Sequence, residues 1–281
     1  MNCLETTVGK LKIGAPLAMG RYSVSRDADP APIVWLKGAP NSDFITEFAV
    51  DYLPFDAMER ENPSRQYYYS GNPDYTTSNL LQFLNSDQED WYEPTHQYDA
   101  PPVRNNVNDR YRAPYKDHYG FLCFFEEYEI ESIADNVGFR IRLPVHGCFS
   151  GENKFPLFRK KGIRARATED FIENKRLSFT GTSYVPIWLA DRSEYEESAC
   201  IMARNGDTNW QRPVYACGVR PVCTLHPDTA VVRDADGLYH IKPRNVDRYL
   251  CTDEELFELL GMAQPLSLIH ISEPTRLDVI S

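Results

Sequence analysis

Tyrosine and tryptophan side chains are concentrated between Glu59 and Tyr119, where they alternate with Asn, Ser, Asp and Pro. Rigid amphipathic rings beside small polar side chains are typical of binding surfaces, because the rings supply contact area at low entropic cost. Such rings also stack on the faces of sugars. The five residues that we expect to bind a ligand are Tyr68, Tyr75, Trp91, Tyr92 and Tyr98. The alternative is that most of these rings seal irregular loops onto the core.

The histidines and carboxylates do not form a recognisable catalytic motif. The histidines before the C-terminal tail are spread along the chain, at His96, His118, His146, His226 and His240. No Gly-x-Ser-x-Gly elbow or His-Glu-x-x-His helix accompanies them, so no nucleophile–base pair or zinc site can be assembled. A glycosidase carboxylate pair needs only spatial proximity, and nothing in the sequence selects one pair. We therefore name no catalytic residue, no metal ligand and no cofactor, and we favour a non-enzymatic role.

A dense run of positive charge lies at Arg159–Arg166, which reads RKKGIRAR. The run contrasts with the formal net charge of the chain, which is -11. It can meet an anionic ligand or the acidic face of a partner, including a second copy of the chain. The other interpretation is a solvated charged turn.

The composition bounds the class of protein. A chain of 281 residues with 42% hydrophobic residues can bury a sizeable core, so one domain over residues 1–250 suffices. The negative net charge opposes binding to nucleic acid, which needs clustered Lys and Arg. No apolar run predicts a membrane span, and the first residues lack the layout of a secretory signal. We expect a cytoplasmic or phage-virion protein that binds neither membrane nor nucleic acid; the sequence leaves its oligomeric state open.

The C-terminal residues divide into a predicted helix and an artefact. Residues 251–265 predict a small capping helix, because Thr252 and Glu255 form a capping box and Gly261 ends the apolar face. Residues 266–281 begin with LSLIHISEPTR, which resembles an in-frame translation of a sequencing-library adapter. We expect this tail to be a disordered artefact of a metagenomic gene fragment, and we exclude it from fold reasoning.

The first half of the chain mixes short strands with two helices. Apolar patterning predicts strands at 11–13, 21–24, 32–36 and 44–50, and a half-buried strand over 139–143. One helix is predicted over Thr77–Asn85, where Leu80, Leu81 and Leu84 recur at helical spacing after an N-cap at Ser78 or Thr77. The second helix is predicted over Phe124–Ala134. A shorter helix over 152–159 and an alternating stretch over 163–167, with its arginines outward, follow.

The second half predicts mostly strands. The expected segments are 184–191, 199–204, 210–215, 218–225 and 238–241. Asn205-Gly206 and Asp236-Gly237 between apolar runs predict tight hairpin turns, because both central positions of such a turn need positive φ. Together these patterns predict an α+β fold with an irregular mixed or antiparallel sheet, two main helices and long loops.

Several short motifs follow one another between Val8 and Leu225. They are Gly20-Arg21-Tyr22, Pro32–Trp35, Tyr75-x-x-Ser78-Asn79-Leu80, Gly120-Phe121-Leu122 before a helix with Glu127, and Gly218–Val222. In this order they resemble a family of bacterial and phage domains of unknown function, number six-two-seven-three, common in gut bacteria and their phages. The loop between 85 and 120 and the segment 155–168 depart from the family's pattern. The resemblance implies a C-type-lectin-like or formylglycine-generating-enzyme-like fold and brings no catalytic residues.

Two late cysteines carry the enzymatic side of that resemblance. Formylglycine-generating enzymes hold copper(I) on a cysteine pair, and Cys217 and Cys223 resemble that pair. Their spacing differs by one residue, which flips a strand side chain to the other face. Buried core thiols are the favoured interpretation, with Arg220 as a structural arginine that bonds loop carbonyls. The seven scattered cysteines, without a Cys-x-x-Cys pair, predict free thiols in a reducing compartment.

The sequence thus predicts a non-enzymatic binding or structural domain of phage or gut-bacterial origin that recognises a glycan or a protein partner through aromatic-rich loops. The alternative is an enzyme of the formylglycine-generating type or a glycan hydrolase. A third hypothesis is an interaction subunit that assembles with phage or host proteins. Convergence of His, Cys or carboxylate groups in one pocket would favour an enzyme.

Overall fold

The computed structural model describes residues 5–23, 29–60, 62–65, 67–92, 115, 118–134, 140–174 and 183–244. They form an α+β fold in which two β-sheets carry most of the regular structure, with short helices between strands. The predicted fold class is confirmed, although the one irregular sheet expected is two sheets. The predicted helix at 251–265, the tail at 266–281 and Tyr98 lie outside the described residues.

The described strands are short and fall into two groups. They are β1 (Thr6–Thr7), β2 (Pro16–Tyr22), β3 (Ala31–Lys37), β4 (Asp43–Thr46), β5 (Asp51–Pro54), β6 (Ile187–Arg192), β7 (Ala199–Met202), β8 (Thr208–Gln211), β9 (Ala216–Val219), β10 (Val222–Thr224), β11 (Ala230–Arg233) and β12 (Tyr239–Ile241). One sheet has seven strands in the order β1-β11-β12-β2-β3-β4-β10, and the other has five in the order β5-β9-β6-β7-β8. Both are mixed, because β12 pairs with β2 and β6 pairs with β9 in parallel.

The described α-helices are α1 (Asn79–Asn85), α2 (Glu127–Ala134), α3 (Leu157–Lys160) and α4 (Glu169–Asn174). The prediction for α1 is confirmed down to its N-cap, because Ser78 Oγ accepts a hydrogen bond of 3.2 Å from the amide of Leu81. The second predicted helix begins three residues late, since 3₁₀ structure covers Phe121–Phe124. No helix among the described residues is both long and apolar enough to cross a membrane.

Both predicted hairpins are present, but only the glycines, Gly206 at φ 96° and Gly237 at φ 90°, have the positive φ that the predicted turn needs at both central positions; Asn205 and Asp236 do not. The turns join β7 to β8 and β11 to β12, which pair antiparallel. Positive φ is a conformation that glycine adopts without steric cost. The glycine of each dipeptide therefore supplies the positive φ within the connection between the two paired strands.

Of the predicted strands, one is divided into two, and two others do not form strands in the described residues. The run 218–225 divides between the two sheets, because Pro221 has no amide hydrogen to continue a ladder. Of the run 139–143, residues 140–143 are described, and among them only Arg142 forms an isolated bridge, ahead of Pro144. The run 11–13 lies before a turn at Gly14, whose φ is 85°, and β2 begins only after it.

The chain passes between the two sheets twice, and the two passages lie side by side. The first leads from β4 to β5 and the second from β9 to β10. Val50 donates to the Val219 carbonyl at 2.8 Å, and Thr46 donates to the Pro221 carbonyl at 3.1 Å. Arg220 Nε donates to the Thr46 carbonyl at 2.9 Å, which confirms its prediction as a structural arginine.

Candidate functional site

A cleft of about 500 Å³ opens between the loop that precedes α1 and the connection from β8 to β9. Arg65, Tyr67, Tyr68 and Tyr69 line it on the loop side. Arg212 and Tyr215 line it from the connection, together with Glu197, which precedes β7. We call this cavity the tyrosine cleft. Its size is within the range of small-ligand sites.

A buried carboxylate holds the loop that carries the tyrosines. Asp56 is 2% exposed, and its two oxygens accept hydrogen bonds of 2.8 Å from the amides of Asn72 and Asn79. The side chain of Asn79 accepts in turn from the amide of Ala57 at 2.8 Å. The loop therefore begins and ends on the same set of buried hydrogen bonds, which limits the positions open to Tyr67–Tyr69.

The backbone of this loop adopts left-handed conformations at two residues other than glycine. Arg65 has φ 57° and Tyr67 has φ 56°. The Tyr67 carbonyl accepts hydrogen bonds from the amides of Glu59 at 3.2 Å and Gly71 at 3.3 Å. Such conformations are uncommon for residues with a side chain and are enriched at functional sites. Here the left-handed residues accompany the stretch of the loop whose three tyrosines, Tyr67, Tyr68 and Tyr69, all line one side of the cleft.

The two sides of the cleft are joined at one point. The Pro213 carbonyl accepts a hydrogen bond of 2.7 Å from the amide of Phe55 and one of 3.2 Å from the amide of Asp56. The residues that anchor the tyrosine loop are thus bonded directly to the connection that carries Arg212 and Tyr215. The cleft is preorganised, which reduces the entropy lost when a ligand binds.

Two aromatic pairs with exposed rings lie in the segments that carry cleft residues. Tyr68 and Tyr69 pack edge to face with ring centroids 4.5 Å apart, and Tyr69 is 69% exposed. The ring centroids of Tyr195 and Trp210 lie 4.4 Å apart, and each side chain is about half exposed. Each member of the second pair is two residues before a cleft residue, Glu197 or Arg212. Exposed rings with adjacent carboxylate, guanidinium and hydroxyl groups suit a ligand that has apolar faces and many hydroxyls.

Of the four predicted ligand-binding residues that the structure describes, only Tyr68 lines the cleft. Tyr75 is half-buried: its hydroxyl accepts a hydrogen bond of 2.8 Å from the Leu143 amide, and burial raises the pKa of its phenol. Trp91 is 7% exposed and Tyr92 is 9% exposed. Tyr98 lies outside the described residues.

Trp91 and Tyr92 are core residues, which corrects the expectation that they are exposed anchors. The ring centroid of Trp91 lies 6.1 Å from that of Phe83 and 5.6 Å from that of Tyr115. The indole N–H of Trp91 donates a hydrogen bond of 3.0 Å to the His118 carbonyl. An apolar ring with a satisfied polar edge is stable in a protein interior. For these two residues the alternative interpretation, that the rings seal loops onto the core, is the one observed.

Sequence reasoning missed Glu197, Arg212 and Tyr215. They stand more than a hundred residues from the tyrosine loop in a stretch with no motif, and the fold alone brings them to it. Tyr67 and Tyr69 share the composition that selected Tyr68, and they belong to the same side of the cleft.

In the described part of the chain, a tyrosine and a histidine converge around the buried Asp51. Asp51 is fully buried, receives a short hydrogen bond from the Tyr22 hydroxyl and has His118 Nε2 3.4 Å from its Oδ2. Burial raises the pKa of Tyr22, and the adjacent Asp51 raises it further. Tyr22 packs against Phe121 and Phe124. None of these three polar residues lines the tyrosine cleft.

The cysteine pair is buried and divided between the sheets. Cys217 is on β9 and Cys223 is on β10, at 2% and 0% exposure. Burial raises the pKa of both thiols, which opposes the thiolate form that copper(I) prefers. Among the described residues, no three His, Cys, Asp or Glu side chains are grouped as metal ligands.

Comparison of the chain with protein-family models, with curated proteins and with solved structures finds no match.

Proposed function

We propose that this chain is a non-enzymatic binding domain whose tyrosine cleft recognises a glycan. The observation that carries the proposal is the grouping of Tyr67, Tyr68 and Tyr69 opposite Glu197 and Arg212 in one preorganised cavity. Tyrosine rings stack on the apolar faces of sugar rings, while carboxylate and guanidinium groups bind their hydroxyls. The phage or gut-bacterial origin implied by the sequence resemblance is part of this proposal.

A protein partner is the second candidate, and the exposed pair on the edge of the smaller sheet favours it. Trp210 is on β8, which is the edge strand, and it is 51% exposed beside Tyr195. Exposed aromatic residues of this kind are enriched among the anchors of protein interfaces. A partner that docks along β8 would depend on Trp210, whereas a glycan in the cleft would depend on Tyr68.

The test is a glycan array followed by titration calorimetry with the glycan that binds best. We expect Tyr68→Ala and Tyr69→Ala each to weaken affinity by about tenfold or more, because each removes a ring from the cleft without opening the core. Tyr119→Ala is the matched control, since Tyr119 is 48% exposed in the same aromatic stretch and does not line the cleft.

Two results would contradict the proposal. One is an array without binding to any glycan while a protein partner binds and is lost on Trp210→Ala. The other is stoichiometric copper(I) uptake that disappears on Cys217→Ser, which would restore the enzymatic alternative.

A further inference from the structure

A second cavity, of about 330 Å³, collects positive charge. Lys161, Arg164, Arg166 and Arg220 all line it, and Glu47 is the carboxylate in its lining. We call this the arginine cavity. The chain as a whole has a formal net charge of -11, so the positive lining of the cavity is opposite in sign to the net charge of the chain. Glu47 pairs with Lys161 at 3.4 Å, so the charges of Arg164, Arg166 and Arg220 remain in excess, and an anion between them would relieve their mutual repulsion.

The backbone directs two of these arginines to the same side. Residues 164–167 bond to 183–185 through backbone hydrogen bonds of 2.9 and 3.1 Å. Side chains alternate along extended backbone, and the two alanines of this segment are buried, so Arg164 and Arg166 face outward. Their guanidinium carbons lie 4.0 and 5.6 Å from the centre of the Tyr184 ring. That ring positions both guanidinium groups by cation–π attraction.

Arg220 is the buried part of the cavity lining, at 4% exposure. Its Nε and Nη2 donate to the carbonyls of Thr46 and Glu47, at 2.9 and 3.4 Å. Its Nη1 is buried and has no hydrogen-bond partner among the described residues. Desolvation lowers the pKa of Arg220 to about 10, which leaves the group charged at neutral pH. A buried charged donor without a partner is costly, and an acceptor in the cavity would remove that cost.

Apolar side chains complete the lining. Phe158 packs with its ring centre 5.4 Å from the guanidinium carbon of Arg220, and Phe48 is 36% exposed beside it in the cavity wall. Leu36 adds an aliphatic surface. A ligand that uses the whole cavity therefore has an apolar portion as well as an anionic group.

We propose that the arginine cavity binds a small organic oxyanion, with a phosphate or carboxylate group held by the guanidinium groups and an apolar body against Phe48 and Phe158. Guanidinium groups bind phosphate and carboxylate oxygens through paired, charge-assisted hydrogen bonds. The volume suits a small molecule rather than a folded partner. The site shares no lining residue with the tyrosine cleft and does not depend on the glycan proposal.

Titration calorimetry with inorganic phosphate, phenyl phosphate and benzoate tests the proposal on the full chain. We expect one-to-one binding in which an aromatic anion binds at least tenfold more tightly than inorganic phosphate, because only the former contacts the rings. Phenyl phosphate and benzoate distinguish the two head groups. Added salt is expected to weaken the binding, since three of the four cations are exposed to solvent screening.

Substitutions locate the binding site. Arg164→Gln is expected to weaken the affinity for the more tightly bound aromatic anion by about tenfold, because it removes one charge-assisted contact made by an exposed side chain. Phe48→Ala is expected to reduce the preference for the aromatic anion over inorganic phosphate. Arg159→Gln is the matched control, since Arg159 is exposed in the same basic run but does not line the cavity. The affinity of this variant for the anion is expected to stay within about twofold of that of the unaltered chain.

Three outcomes would overturn the proposal. The first is an absence of binding heat for all three probes at millimolar concentration. The second is an affinity that changes by less than about twofold when Arg164 is replaced with Gln, which would place the anion elsewhere. The third is binding of a glutamate-rich peptide that depends on Arg164 while the three small anions fail to bind, which would make the surface a protein-docking site.

Discussion

Replacing Asp56 with alanine is expected to lower the free energy of unfolding by about 3–5 kcal/mol. The change leaves two buried amides, those of Asn72 and Asn79, without their acceptor, and each unpaired buried donor costs about 1–3 kcal/mol. Small domains have unfolding free energies of about 5–15 kcal/mol, so the loss is a large fraction of the total. Chemical denaturation monitored by tryptophan fluorescence measures it.

Asp74→Ala is the matched control for that experiment. Asp74 accepts hydrogen bonds from the amide and hydroxyl of Thr76 at 2.9 and 2.7 Å, yet it is exposed, so water replaces the lost acceptor. We expect a cost of about 1 kcal/mol or less. Asp56→Asn is expected to fall between the two, because its amide oxygen can satisfy only one side of the buried pair. Equal costs for Asp56→Ala and Asp74→Ala would contradict the role of burial.

Local chemistry made part of the fold predictable. Ser78 can accept the free amide of the first helical turn, and glycine at position 206 or 237 can adopt positive φ, so a few adjacent residues determine each of these features. Sheet membership has no such local cause. The run 218–225 is mostly apolar, and its pairing partners, β5 on one side of Pro221 and β4 on the other, show that it belongs to two sheets.

The candidate site was less predictable, because exposure is a property of the fold rather than of composition. Tyr68 and Trp91 stand in similar sequence surroundings, but one lines a cleft and the other packs against Phe83. Arg212 reaches the cleft through a backbone contact between Phe55 and Pro213, which are more than 150 positions apart in the chain. No short window of sequence contains that contact.

Glu129 is a buried carboxylate that joins α2 to the larger sheet. It is 5% exposed, and its oxygens accept hydrogen bonds from the amide of Gly20 on β2, at 3.1 and 3.0 Å. It also accepts from the amide of Glu126 at 2.9 Å, as the third helical residue does in a capping box. Burial raises the pKa of Glu129 to about 7, although these hydrogen bonds act in the opposite direction.

The raised pKa makes Glu129 a source of pH-dependent stability. Between its ordinary pKa of 4.5 and the folded value of about 7, the folded chain binds a proton that the unfolded chain has released. The contribution is therefore complete below pH 4.5 and is lost as the pH rises to about 7, by about 3 kcal/mol in total. Glu129→Gln removes this titration. The difference in unfolding free energy between the variant and the unaltered chain should shift in favour of the variant by that amount.

Denaturant titrations of both proteins from about pH 4.5 to pH 8 measure this difference, and every other group cancels in the comparison. Glu127→Gln is the control, because Glu127 is an exposed glutamate in the same helical turn. Its curve should run parallel to that of the unaltered chain. A parallel curve for Glu129→Gln as well would mean that the buried carboxylate stays ionised throughout, with the amides of Gly20 and Glu126 offsetting the cost of its burial.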